Sequence, residues 1–209
     1  MRSENETPKP YHHGDLRATL LRVTGELIRE KGIEGLAMRE CARRAGVSWS
    51  APIHHFKDKR GLLTAFAVQG FEWLTASILA QSKDVEDVFL RSAAVGMAYL
   101  EFALANPEHF RMMYRAELLN AQDSEYVATR TAATGLFEGA MRACDAALGR
   151  VNDPTLPERM LLAWSVVHGF ATLCLEGAIP PPDESDLLEL GKRLIMLSGD
   201  SLFGDLPVH

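Results

Sequence analysis

Apolar residues in this chain recur at the spacing of one helical face, not at the every-other-residue spacing of a strand. Leu16, Leu20, Val23, Leu27 and Ile28 follow the 3.6-residue period and predict a first helix. Asp15 is placed to cap its start and Gly32 to end it in left-handed geometry. A short periodic piece covers residues 38–45, ending at Gly46, and a second covers about residues 48–55. Asp58 then caps a long helix with Leu62, Leu63, Phe66, Gly70, Trp73 and Ser77 on one face. Four more helices are predicted over about residues 85–105, 126–148, 156–177 and 186–200. Pro107 stands near the start of a kinked helical segment at 106–115, a position that tolerates proline. Loops are predicted at 149–157 and at Pro180-Pro181-Pro182, which cannot continue the helix before it. Alternating patterns and hairpin turn signals are missing, so the prediction is all-α, with no internal repeat.

Composition adds exclusions. The chain has 209 residues, 47% hydrophobic and 24% charged, which is ordinary globular make-up rather than a disordered or low-complexity one. No uninterrupted apolar run reaches the roughly 20 residues of a bilayer span, so no membrane association is expected. The first ten residues, MRSENETPKP, are polar, so no secretory signal is expected. Cys41, Cys144 and Cys174 are scattered, which suggests reduced cytoplasmic thiols rather than a disulfide frame or a zinc site.

The formal charge of −6 is unevenly spread. Residues 1–65 carry twelve Lys/Arg against eight Asp/Glu, a balance of +4, and residues 66–209 carry ten against twenty, or −10. A basic end on an acidic body hints at a nucleic-acid-binding domain joined to a body that does not bind it. The boundary falls inside the long helix near Phe66, which predicts a rigid joint and domains at 1–65 and 66–209.

The most informative stretch is Met38-Arg39-Glu40-Cys41-Ala42-Arg43-Arg44-Ala45-Gly46-Val47-Ser48. Small Ala42 lets a second helix approach closely, and Gly46 permits a left-handed turn. Val47 fills the angle between the helices, and the Ser48 hydroxyl is placed to cap the second one. Two short helices at a fixed angle present the second outward, sized for a DNA major groove. Pro52 falls in that helix's first turn, where at most one backbone bond is lost.

Just downstream stands Ile53-His54-His55-Phe56-Lys57-Asp58-Lys59-Arg60-Gly61-Leu62-Leu63. Over about residues 16–66 the sequence resembles the TetR family of bacterial transcriptional repressors: a scaffold helix, the helix-turn-helix, a His-Phe-x-x-Lys-x-x-Leu-Leu tail and a long helix. The resemblance implies that Arg39 reaches a base edge or phosphate. It implies that Ser48, Trp49, Ser50 and Ala51 line the recognition surface, and that His54, His55 and Lys59 hold phosphates. Lys59 beside a capped helix N-terminus suits that role electrostatically. Two positions depart from the family pattern: Ile53 replaces the usual Tyr, and Ala37 replaces the usual Ser/Thr helix start. The stretch from Lys9 to Gly14 is either an arm along the DNA or a loose tail.

For residues 66–209 the resemblance implies a helical ligand-binding and dimerisation domain. Trp164-Ser165-Val166-Val167-His168-Gly169-Phe170 resembles the Trp-His-Gly signature of one TetR subgroup, and Pro107-Glu108-His109-Phe110-Arg111-Met112-Met113 its Pro-x-x-Phe-x-x-Met turn. Trp164 and His168 share a helical face and either line a pocket or belong to the core. Gly169 is read as a close-packing glycine. Tyr99, Phe102, Met113, Phe137 and Met141, with Trp164 and His168, are the candidate effector contacts. Such soft apolar surface suits a hydrophobic or aromatic effector rather than a sugar or phosphate. Leu161, Leu162, Leu173, Leu187, Leu190, Leu194 and Leu197 either pair with a second copy or face the chain's own core.

Nucleophile-elbow, phosphate-loop and paired-glycine patterns are missing, as is His-Glu-x-x-His, so no catalytic residue, cofactor or metal is assigned. The expectation is a homodimeric repressor of a double-stranded DNA operator, released by a small-molecule effector. The rival is a helical small-molecule-binding or protein-interaction module without sequence-specific DNA binding.

Overall fold

The computed structural model describes residues 13–179 and 184–204. Among them it is all-helical: α1 (His13–Lys31), α2 (Met38–Arg44), α3 (Ala51–Phe56), α4 (Lys59–Ser82), α5 (Val88–Ala105), α6 (Pro107–Met113), α7 (Ser124–Ala147), α8 (Leu156–Leu175) and α9 (Glu184–Phe203), with a 3-10 turn at Ala116–Leu118. Residues 9–12 of the N-terminal stretch and the proline run at 180–182 lie outside the described residues. The chain divides into two compact units, Met1–Phe66 with Leu118–Asn120, and Ala67–Glu117 with Ala121–His209.

In the first unit, α1 buries Leu16, Leu20, Leu21, Val23, Leu27 and Ile28, the predicted stripe plus one neighbour. It begins at His13, so Asp15 lies inside its first turn and not at the flanking cap position. Gly32, at φ +71°, ends it as expected. Cys41, Ala42, Ala45, Phe56, Leu62, Leu63 and Phe66 close this core. The ring of Phe66 lies 3.4 Å from where a Cβ on Gly25 would stand, so α1 and α4 pack closely at that glycine. The buried Thr24 hydroxyl donates to the Leu20 carbonyl (2.8 Å), and burial pushes the neighbouring Cys41 thiol up. Residues 118–120 are tied to the start of α4: Arg60 donates to the Leu119 carbonyl (2.7 Å), and Asn120 N–H donates to the Thr64 hydroxyl (2.9 Å).

In the second unit, α5 packs against α7, α8 and α9. Asp87 and Asp123 each cap a helix by accepting two backbone N–H groups, at α5 and α7. Buried Phe71, Leu74 and Ile78 carry the inner face of α4 here, whereas Trp73 is 44% exposed and Ser77 half-buried. The expected face therefore fails after Gly70. The stripe rotates because α4 leaves the packing of the first unit and meets the aromatic edges of Tyr114 and Tyr126 through Phe71. His109 lies 4.6 Å from the Trp73 ring and donates from Nε2 to the Gln69 amide oxygen (3.0 Å). Burial pulls its imidazole down to about 4, so it is neutral near pH 7. Arg159 grips Asp145 with two bonds of 2.6 Å, with the Asp145 side chain only 5% exposed.

By length and mean hydropathy (1.4 each), α4 and α5 match the composition of membrane spans, although neither holds an uninterrupted apolar run of that length. Both are packed helices: 61% and 33% of their most apolar windows are buried inside the protein. The predicted leucines divide. Leu187 is buried and Leu190 and Leu194 are half-buried, but Leu161, Leu162, Leu173 and Leu197 are exposed, Leu197 by 66%. Among the described residues a Cβ on Gly169 would meet nothing within 4 Å, so the expected close packing at that glycine is not found among them.

Candidate functional site

The first candidate surface is the pair α2–α3. Glu40 sits in the first turn of α2, and Arg43 and Arg44 in its last, the favourable order for a helix dipole. Arg43 holds Glu40 with two 2.8 Å bonds, and Arg44 reaches both Glu40 (3.4 Å) and Glu30 (2.7 Å). The Arg43 guanidinium, assisted by Lys31 and Arg44, holds the Glu40 carboxyl down to about 2. Arg44, on Glu30, and Lys31, 3.7 Å from Glu40, brace α2 against α1, whereas the Arg43–Glu40 pair lies within α2. Arg39 is exposed on the same helix.

Ala37 starts α2 in an extended conformation without a side-chain cap bond. At the other end the chain turns by a Schellman motif: Gly46 at φ +69°, Gly46 N–H to the Arg43 carbonyl (3.2 Å) and Val47 N–H to the Ala42 carbonyl (3.1 Å). Val47, just after the turn, is half-buried. Ser48 does not cap α3. Its hydroxyl pairs with that of Ser50 (3.1 Å), and it is its carbonyl that binds the Ala51 N–H (3.0 Å).

Pro52 and Phe56 anchor α3 in the core, which turns the rest of the element outward. Trp49 is 62% and Ile53 40% exposed; Ser48, His54 and His55 are exposed too, and Ser50 and Ala51 are half-buried. These candidates are thus exposed or half-buried in and just before α3.

The link from α3 to α4 is strained. Lys57 adopts φ +69°, ψ −56°, and the Asp58 N–H bonds the Phe56 carbonyl at 2.8 Å, a γ-turn of the rare positive-φ kind. Asp58 then accepts from Gly61 N–H (2.8 Å), capping α4 as predicted. A Cβ on Gly61 would lie 2.0 Å from the Phe56 carbonyl oxygen. Half-buried Lys59 spends one of its three N–H donors on the Ile33 carbonyl (2.8 Å).

The second candidate is an aromatic cluster with two cavities inside the second unit. Tyr99 donates to the Tyr114 hydroxyl (3.0 Å), lies 2.6 Å from His168 Nδ1 and accepts from the Trp164 indole N–H (3.4 Å). Burial and the neighbouring Tyr114 raise the Tyr99 phenol far above its usual range; burial raises Tyr114 to about 12 and lowers His168. All three groups are therefore neutral near pH 7, an arrangement for hydrogen bonding rather than charge.

A cavity of about 410 Å³ is lined by Tyr99, Tyr114, Trp164, Phe137 and Arg130, among others. A second, of about 460 Å³, is lined by Phe89, Ala93, Phe137, Met141, Met196 and others. Of the sequence-derived contacts, Tyr99, Phe137 and Trp164 line the first and Phe137 and Met141 the second. His168 lines neither, and its Nδ1 lies 2.6 Å from the hydroxyl of Tyr99, which lines the first. Phe102 and Met113 line neither as well: both are buried in helix packing, with Met113 pressed on Gly70. Tyr114 and Arg130 were missed. Tyr114 was findable, since it follows Phe110 by one helical turn and shares its face; Arg130 carried no local signal.

The pattern described as "Bacterial regulatory proteins, tetR family" matches residues 20–66, and that described as "Tetracyclin repressor-like, C-terminal domain" matches residues 92–195. The class C tetracycline repressor of Escherichia coli is 45% identical over 51 residues, 24% of this chain and 23% of the repressor. The chain thus matches less than a quarter of the length of that curated relative. A Rhodococcus sp. RHA1 protein of unknown function is 30% identical, with a TM-score of 0.77 over 96% of this chain and 100% of that one. The TetR family transcriptional regulator PfmR from Thermus thermophilus shares the fold at 17% identity, TM-score 0.66, covering 90% and 99%.

Proposed function

The chain belongs to the tetR family of bacterial regulatory proteins, and from that premise we propose that it is a DNA-binding transcriptional regulator: a homodimeric cytoplasmic repressor, released from a palindromic operator by an apolar effector bound in its second unit. The observation that carries this reading is Trp49, 62% exposed just ahead of α3. A large indole left in water, next to a short helix that also exposes His54 and His55, has the mixed apolar and polar character that a major groove demands. The exposed leucines of α8 and α9 support pairing with a second copy. In the dimer, two α3 helices would sit about 34 Å apart, one turn of DNA. An effector releases DNA only by the margin with which it prefers a different dimer geometry. The continuous helix α4, which begins in the first unit and ends in the second, is the element to carry that difference.

Selection of bound fragments from the source genome, followed by titration over a salt series, tests the proposal. Affinity should fall steeply with salt. Lys59→Ala should weaken every sequence alike and reduce the salt slope by about one, since an ammonium on a phosphate releases one counterion. Binding without a salt slope, or a chain that stays monomeric at working concentration, would leave only a helical binding module.

Trp49 and Ile53 also predict what is read. Thymine methyls are the apolar groups of the major groove. Replacing thymines of the selected operator by uracil, one at a time, should cost affinity at one or two positions, and Trp49→Ala should erase that cost at its own position. Equal tolerance of every uracil by the native chain would remove Trp49 from base reading.

A further inference from the structure

Gly96, Phe137 and Val167 line both cavities of the second unit, so the two spaces adjoin at these three residues. A Cβ on Gly96 would come within 3.3–3.5 Å of the Ile195 side chain, so glycine leaves at that wall the room a larger residue would take. Taken together, the two spaces follow the helices. Along α5 it runs from Tyr99 past Gly96 to Phe89, about 15 Å at the rise of an α-helix. Along α7 it runs from Arg130 past Phe137 to Met141, again about 16 Å. The two lengths agree on an elongated shape, and most of the lining residues are apolar.

Its charge is polarised. Among the described lining residues Arg130 is the one base, exposed at the Tyr114 end with its guanidinium 5.5 Å from the Tyr126 ring centre. Glu138 on the same wall is already bound by Arg142 (2.8 Å). Asp87 and Asp200 line the far end, the former with its carboxylate on two backbone N–H groups. Tyr114 accepts from Tyr99 and so keeps its own O–H to give. An anionic head is therefore favoured at Arg130 and opposed near Asp200. At the exposed Arg130 end it also avoids full desolvation.

We infer that the two cavities form one site for an amphipathic carboxylate, an unbranched hydrocarbon chain threaded past Gly96 and Phe137 toward Met141 with its carboxylate at Arg130 and Tyr114. This rests on the proposal that the effector binds in the second unit, and it specifies the effector's chemical class.

Calorimetric titration of the full chain with hexanoate, octanoate, decanoate and decanol tests it. Each added methylene that enters apolar space should tighten binding roughly fourfold, so decanoate should exceed hexanoate by about two-hundredfold. Decanoate should exceed decanol, and Arg130→Gln should remove that preference. Ala93→Phe, which fills only the far cavity, should cut the gain from hexanoate to decanoate below tenfold. Affinity that levels off at hexanoate overturns the joined site, and equal binding of decanoate and decanol overturns the carboxylate head; either outcome leaves an effector in the second unit standing. Failure of the native chain to bind any of these probes overturns the inference, and the proposed effector site falls separately if operator binding also resists every apolar compound tested.

Discussion

Gly61→Ala should destabilise the first unit by about 3 kcal/mol and abolish operator binding at ordinary protein concentrations. The added Cβ would stand 2.0 Å from the Phe56 carbonyl oxygen, and both partners are main chain, so neither can rotate away as a side-chain tip would. Relief requires opening the Lys57 turn, whose positive φ already carries strain, and that turn sets where α3 points. With two compact units a single unfolding energy is ill-defined, so hydrogen exchange is the better measurement. Protection should drop in α1–α3 and persist in α5–α9. Gly46→Ala is the control: it also forces a positive φ on alanine but meets nothing within 4 Å, so only the backbone cost of about 1 kcal/mol applies. Equal, mild effects of the two substitutions would show that the Phe56–Gly61 contact is not tight.

The second large effect lies in the second unit. Arg159→Met should cost about 3–5 kcal/mol, because it strands a carboxylate with a side chain only 5% exposed. Asp153 stands 3.4 Å from the same guanidinium, so a second negative charge is released beside the first. Asp145→Leu combined with Arg159→Met should recover most of the loss, since removing both partners leaves no buried charge. Denaturant unfolding of the native chain, the single variant and the double variant completes the cycle. A single variant within 1 kcal/mol of native stability would falsify the buried-pair account.

The first unit is the more legible part of the sequence because its signals are local. The turn at Gly46, the cap at Asp58 and the α1 stripe each depend on residues within a few positions of one another. Ser48 misleads because its hydroxyl has two possible partners, and only the folded turn brings Ser50 to it. The face of α4 misleads beyond Gly70 because one period does not extend across a change of packing partners. In the second unit the helices are legible but the cavities are not. Tyr99 and His168 are 69 residues apart, and no periodicity within one helix says which helices close around a space. Met113 and Phe102 look as eligible as Phe137 because chemistry alone does not separate a wall from a core.

The three tryptophans are distributed so that each sees something different. Trp49 is open just ahead of α3, Trp73 lies tilted against His109, and Trp164 borders a cavity. The protein thus carries its own optical reporters. Emission from a chain retaining only Trp49 follows operator docking, emission from one retaining only Trp164 follows filling of the cavity, and a chain retaining only Trp73, which touches neither, serves as the reference. Occupancy of each ligand becomes readable in its own single-tryptophan chain without an attached dye.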